Sequence, residues 1–417
     1  MILIPPGTSN SSSFIQYTSL NQTSFTDLSS LITAEGTLQW SPRDASESWK
    51  VFSFWESYTN QRSCDGGPNS TSVIGNGSWI VDHFSERGAS RITDFWDEIF
   101  LSDPEIADLV KTVGGYGMFQ SIFRPTSNIR IAWEDSMEQL AALPWTPGLL
   151  DRFKASHGYD ITSYLPVIFS SLNTWGGLAP PYAEAFFFND DPVGKQRLYS
   201  LDYQKVLNDG YQDYIAQFQS WTKSIGIEYS NQPAYNLPLQ MVRHLPLMRI
   251  VADKLKSSDI PLIDAPEAES LGFKDDVELY RQFSGPAHFY NKSVISTEVG
   301  AVQEGAYLLT IPDLLRLIKR SFAGGFTMSV IHGFPTYGPY PNTTWPGYTA
   351  FYYRFTEMWN QVQPSWMHMR DSLDYVGRNQ WALQQGTPQI DLAFYVYDSP
   401  WLLLAQYNST NLEKLGM

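Results

Sequence analysis

Short apolar runs that end on acids recur along the chain, separated by segments of helical periodicity. In residues 260–273, IPLIDAPEAESLGF, the apolar run at 261–263 gives way to Asp264, Glu267 and Glu269. In residues 293–301, SVISTEVGA, Val294 and Ile295 lead into Glu298. The interval 275–290 has the length of a crossover helix, so the stretch predicts strand, helix, strand. The same figure recurs in KVFSFWES (50–57), ending near Glu56, and in SWIVDHF (78–84), which presents Asp82 and His83. NIRIAWEDSME (128–138) ends in Glu134, Asp135 and Glu138, GIEYSNQPAY (226–235) carries Glu228 and Gln232, and FTMSVIHGF (326–334) presents His332. Helices are predicted over 89–101, 146–157, 198–224 and 311–323, the last on its apolar Leu314, Leu315, Leu317 and Ile318.

Strands alternating with helices predict an α/β fold with a parallel sheet. Acids at so many strand ends favour a closed (β/α)₈ TIM-type barrel, in which chemistry sits at the C-terminal ends of the strands. The expected catalytic domain is 49–385. The Ser- and Thr-rich residues 1–48 are expected to be a linker or the remnant of a β domain, and 386–417, with a new strand after Pro388, the start of a truncated domain. The barrel would thus carry truncated flanking β segments. The Gly-, Asn- and Ser-rich stretch 60–79 is a long loop between two strands, and such loops are functional or disordered.

At 417 residues the chain is long enough for a decorated barrel. A net charge of -15 argues against nucleic acid or an anionic membrane surface as partner, and no apolar run reaches membrane-spanning length. The 14 Trp and 24 Tyr residues suit stacking on sugar faces, and equally suit filling a core. Cys64 is the single cysteine, so an intrachain disulfide is excluded. The six His residues show no zinc spacing. SFAGGF lacks a phosphate-loop Lys and is expected to end a helix at Gly324. Sequons at Asn10, Asn21, Asn69, Asn76, Asn291, Asn342 and Asn408 suit a secreted glycoprotein. The first residues have no basic n-region, so either the protein stays inside the cell or this N-terminus is not the natural one.

Several longer stretches, among them WEDSMEQLAALPWTPGLLDRFKASHGYDITSYLPV, IPLIDAPEAESLGF, RQFSGPAHFYNKSVISTEVGA and YPNTTWPG, resemble glycoside hydrolase family 106, the α-L-rhamnosidase family, in its fungal secreted branch. The resemblance covers roughly residues 49–400. It implies a (β/α)₈ domain that hydrolyses terminal α-L-rhamnosides with inversion, with calcium near the active site in some members and a rhamnose-containing glycan or glycoside as partner. Segments 118–132 and 242–258 depart from the family pattern and read as insertions, the second expected to lie outside the barrel core.

Carried over residue by residue, Glu138 matches the general acid and Glu298 the general base. Asp82 and His83 match a D-H pair at a strand end, and Glu269 an acid after a P-x-x-E turn, with substrate or calcium contact implied. The residues themselves agree, because glycoside hydrolysis needs one protonated and one ionised carboxyl on opposite ring faces. Glu134 and Asp135 compete with Glu138 for that work and otherwise count as substrate contacts. His332 is either a sugar ligand or a packed core His, and Trp345 either a stacking platform or a loop anchor. A metal site, if built, is expected from oxygen ligands near Asp82, Asp264 and Glu269, calcium being the fitting ion. Two rivals are a retaining glycosidase of other specificity and a noncatalytic sugar-binding barrel.

Overall fold

The computed structural model describes residues 16–44, 46, 48–59, 79–112, 131–136, 143–171, 184–189, 193–233, 259–270, 276–302, 306–334, 357–361 and 363–390. Glu138, Trp345, segments 118–130 and 242–258, the loop at 60–78, the strand expected beyond 390 and the sequons at Asn10, Asn69, Asn76, Asn342 and Asn408 lie outside the described residues.

In chain order the strands are β1 (Gln16–Leu20), β2 (Ile131–Glu134), β3 (Glu184–Phe188), β4 (Glu228–Asn231), β5 (Ala265–Glu269), β6 (Ser296–Val299) and β7 (Met328–Ile331). The helices are α1 (Glu86–Phe95), α2 (Pro104–Thr112), α3 (Leu149–His157), α4 (Leu165–Ser171), α5 (Val193–Ser224), α6 (Val277–Phe289), α7 (Ile311–Ala323) and α8 (Met369–Leu383). The described residues within 1–59 and 140–207 cluster as one compact unit and those within 60–139 and 208–417 as another, the division falling inside α5. None of the described helices is long and apolar enough to cross a membrane.

In the first unit, β1 and β3 pair in parallel. Aromatic contacts gather behind them. Tyr164 meets Phe188 edge-on at 5.9 Å and Tyr199 at 4.0 Å, and Phe153 stacks on His157 at 4.7 Å. The indole of Trp145 donates to Glu56 at 2.9 Å.

The second unit holds an open parallel sheet in the order β2-β4-β5-β6-β7, curled into half a barrel. Helix α6 links β5 to β6, and α7 links β6 to β7. The spacing of Leu279, Tyr280, Phe283 and Ala287 puts them on one face of α6, where they bury with Ile260, Ala268, Ile295 and Phe326. Helix α7 starts at a capping box between Thr310 and Asp313, packs Leu314 and Ile318 inward and stops at Gly324. The second half of α5 approaches the start of α1 so closely that a Cβ on Gly210 would lie 2.3 Å from the Phe84 carbonyl oxygen.

Of the expected eight-stranded barrel, the described residues form this five-stranded half. Residues 50–57 and 80–83 contain no strand. Residues 260–262 form a 3-10 turn with Pro261 near its start, and the strand begins only at Ala265, because proline has no N–H to donate to a sheet. Ile131 and Ala132, read from the sequence as the end of an insertion, open β2, with Ile131 fully buried. Helices α2, α4 and α8 were not anticipated.

Candidate active site

Side chains alternate across a strand, so the registers decide which acids meet. Trp133 pairs with Ser230, Ser230 with Ala265, Glu267 with Ser296, and Glu269 with Glu298. Trp133, Glu267, Glu269, Ser296 and Glu298 therefore share one face. Gln232 and His332 continue the same parity just beyond β4 and β7. Glu134 pairs with Asn231 and faces the other way, as does Tyr229, two residues before Asn231.

Glu267 is fully buried and both its oxygens are engaged. Oε1 accepts from the Trp133 indole at 2.7 Å and from Gln232 Nε2 at 3.1 Å, and Oε2 accepts from the Ser296 hydroxyl at 2.6 Å. The same Gln232 Nε2 donates to Glu298 Oε2 at 2.8 Å. His332 Nε2 lies 3.7 Å from Glu298 Oε1. Glu298 is 9% exposed and Glu269, opposite it in register, 8%.

Burial sets the electrostatics, because it penalises the charged form. It pushes Glu267 up to about 7, against the lowering effect of its donors Ser296, Gln232 and Trp133. It likewise holds Glu298 well above the usual carboxylate range, with the charges of Asp135, Glu269 and Glu267 adding to the rise and the Gln232 hydrogen bond opposing it. A buried carboxyl whose proton is held more tightly than usual is a candidate for general acid-base chemistry.

Glu134, expected at the substrate, instead faces α5. Tyr214 donates to its Oε1 at 2.5 Å, and Tyr229 and Asn231 both donate to its Oε2. Burial raises Glu134 to about 7 despite these donors. His83 lies against Tyr214 with ring centroids 4.9 Å apart. Its Nδ1 donates to the Val81 carbonyl at 2.9 Å, and burial lowers it to about 4, so it is neutral at pH 7. Asp82 shapes the entry to α1, accepting from Phe84 N at 2.9 Å and from the Ser85 hydroxyl at 2.8 Å. Glu134, His83 and Asp82 thus belong to the helix side of β2 and the start of α1. Glu298, Glu269 and His332 come together on the inner face, and the charge of Asp135 reaches Glu298 there.

The expected metal ligands do not meet. Asp264 precedes β5 and is held by Gln219 Nε2 at 2.9 Å and the Tyr229 N–H at 3.1 Å. Glu269 ends the same strand, about 16 Å away at the rise of an extended chain. Among the described residues no group of three or more His, Cys, Asp or Glu is placed to hold a metal ion. At that separation Asp264 and Glu269 cannot share one ion.

Three members of the inner-face cluster had no role assigned from the sequence: Glu267, Gln232 and Ser296. Glu267 stood out only as one acid among three in PLIDAPEAE. Counting by twos back from Glu269 would have singled it out over Asp264. Gln232 stood out only by its place at the end of GIEYSNQPAY, and Ser296, a neutral residue inside its strand, left no comparable signal.

No known protein-family pattern matches the chain. A protein of Formosa agariphila named "Putative beta-glucuronidase" is 24% identical over 261 residues, which are 61% of this chain and 19% of that protein. The solved structure of a rhamnosidase from Novosphingobium sp. PP1Y superposes with a TM-score of 0.50 at 17% identity, over 88% of this chain and 31% of that one. The chain thus spans about a fifth of the curated relative and about a third of the solved rhamnosidase. What the solved structure shares with the chain is its fold: α/β, with a curled parallel half-barrel sheet.

Proposed function

We propose that the chain carries the catalytic acids of a glycoside hydrolase that releases terminal α-L-rhamnosyl residues with inversion. The observation that carries this reading is Glu298: a buried carboxyl at a strand end, fixed by Gln232 on one oxygen and open toward His332 on the other. Glu298 removes a proton from the water that attacks the anomeric carbon, and Glu138 protonates the departing oxygen. A base held above the usual carboxylate range binds that proton more tightly than an ordinary glutamate, and the Gln232 N–H stabilises its ionised form before the transfer. The family resemblance and the rhamnosidase fold support the sugar assignment. The relative's name points to a uronic acid, whose carboxylate calls for a cationic partner. The side chains named on the inner face are acids, a glutamine, a serine, a histidine and an indole, which suit a neutral deoxy sugar better.

The test is hydrolysis of an aryl α-L-rhamnoside followed by NMR. Release of the inverted anomer by the parent, lost in Glu298→Gln, is expected. Retention of configuration, or faster turnover of an aryl glucuronide, would overturn the assignment. We also propose that the protein is secreted and glycosylated, since the sequon residues Asn21 and Asn291 are both exposed. Expression through a eukaryotic secretory pathway should give a product whose mobility changes on enzymatic deglycosylation, and an unaltered mobility would refute this.

A further inference from the structure

Glu267 has the burial of a core residue and the hydrogen bonds of a hub. It is reached by donors from β2, from the end of β4 and from β6, and it is fully buried, so it cannot itself touch a sugar. One of its donors, the Gln232 amide nitrogen, also bonds Glu298. An amide NH₂ has two hydrogens, and two carboxyls take them both. That fixes which way the amide is turned, because its oxygen facing either carboxylate would put acceptor against acceptor.

We propose that Glu267 is a positioning residue of the site: through the Gln232 amide it holds Oε2 of Glu298 and leaves Oε1, on the His332 side, as the oxygen that takes the proton from water. The inference rests on the hydrolytic reading above for its chemistry and on the hydrogen bonds alone for its geometry. The titratable groups that act on Glu298 are Asp135 at the end of β2, Glu267 and Glu269 on β5, and His332 after β7. Removing the charge of Glu267 should therefore move the titration of Glu298 to lower pH.

Two substitutions separate positioning from mere support. In Glu267→Gln the side-chain oxygen still accepts from Trp133 and Gln232, and the new amide donates to the Ser296 hydroxyl, so the cradle survives without its charge. In Glu267→Ala the Gln232 amide is freed, and kcat/KM should fall about 10²-fold, the scale of a 1 Å misplacement. Glu267→Gln should recover it to within about tenfold of the parent. In a Gln232→Ala background the further loss from Glu267→Ala should vanish, because residues that act through one another are not additive. The protonation of Glu298 is read separately by carboxyl ¹³C NMR titration of this chain, assigned by the signal missing in Glu298→Gln. That arm needs no substrate. A Glu298 titration unmoved in Glu267→Gln, equal impairment of the Gln and Ala variants, or additive losses with Gln232→Ala would overturn the inference. A parent chain that cleaves no rhamnoside would overturn the hydrolytic reading and leave the NMR arm to decide the positioning.

Discussion

Asp259 offers a clean measure of what burying an acid costs this fold, because it lies before β5 and away from the inner-face cluster. It is 1% exposed. Its Oδ1 accepts from Gln212 Nε2 of α5 at 3.1 Å, and its Oδ2 has no hydrogen-bond partner. Burial, reinforced by the charge of Asp209 and opposed by the Gln212 bond, raises it from the usual 3.8 to about 7. Below about pH 4 the group is protonated whether the chain is folded or not, and it favours neither state. Between about 4 and 7 the unfolded chain ionises while the folded one keeps its proton, so stability falls as pH rises. Above 7 both forms are ionised and the loss is complete. Three units at about 1.4 kcal/mol each make about 4 kcal/mol.

Asp259→Asn removes this dependence and little else. The amide oxygen keeps the Gln212 bond, and its NH₂ lies where Oδ2 had no partner, at a cost of about 1–3 kcal/mol. The variant should therefore be slightly less stable than the parent near pH 4 and more stable near pH 8. The gap between the two curves should change by about 4 kcal/mol over that range. Urea unfolding of both proteins at several pH values measures it. Parallel curves would refute the reasoning, since other titrating groups, Glu134 and Glu267 included, are common to both proteins and cancel in the difference.

Other expectations are more direct. Glu298→Gln should lose about 10²- to 10⁴-fold in kcat/KM with an unchanged circular dichroism spectrum, and near-parental turnover would remove Glu298 from the chemistry. The parent's activity should rise with pH through a limb above the usual carboxylate range, and Glu269→Gln, which deletes one of the charges that raise Glu298, should move that limb to lower pH; a fixed limb would mean that Glu298 does not control it. Gly210→Ala should destabilise the second unit by about 1–3 kcal/mol, because its Cβ would press on the Phe84 carbonyl. A thermal melt superimposable on the parent's would show that the backbones separate freely there.

The parts of this fold that could be read from the sequence are those in which one signal suffices. Helix α7 has a capping residue, a proline, an apolar stripe and a terminal glycine, and it lies where that pattern predicts. The expected β6 agrees too, since Val294 and Ile295 are buried ahead of Glu298. Failures came where two signals overlap. The run at 260–263 is apolar enough for a strand, but Pro261 turns it into a single helical turn and moves the strand onto the acids themselves. Residues 50–57 have the composition of a strand, yet they are not part of one.

Glu134 and Asp135 show why the site was harder to read than the fold. They are neighbours of like charge, and nothing in the run IAWEDS says which of them faces inward. Period-two alternation requires that they point to opposite faces, so a single register fact decides both. That fact is the pairing of Glu134 with Asn231, which turns Glu134 toward Tyr214 and Tyr229 and leaves Asp135 with the parity of Trp133. The same pairing gives Gln232 the parity of Trp133 and brings it to Glu267 and Glu298. A neutral residue with no motif of its own thus becomes the link between two acids. Strand ends could be located from composition, but which acids meet there is a property of pairing between strands far apart in sequence, and no local pattern carries it.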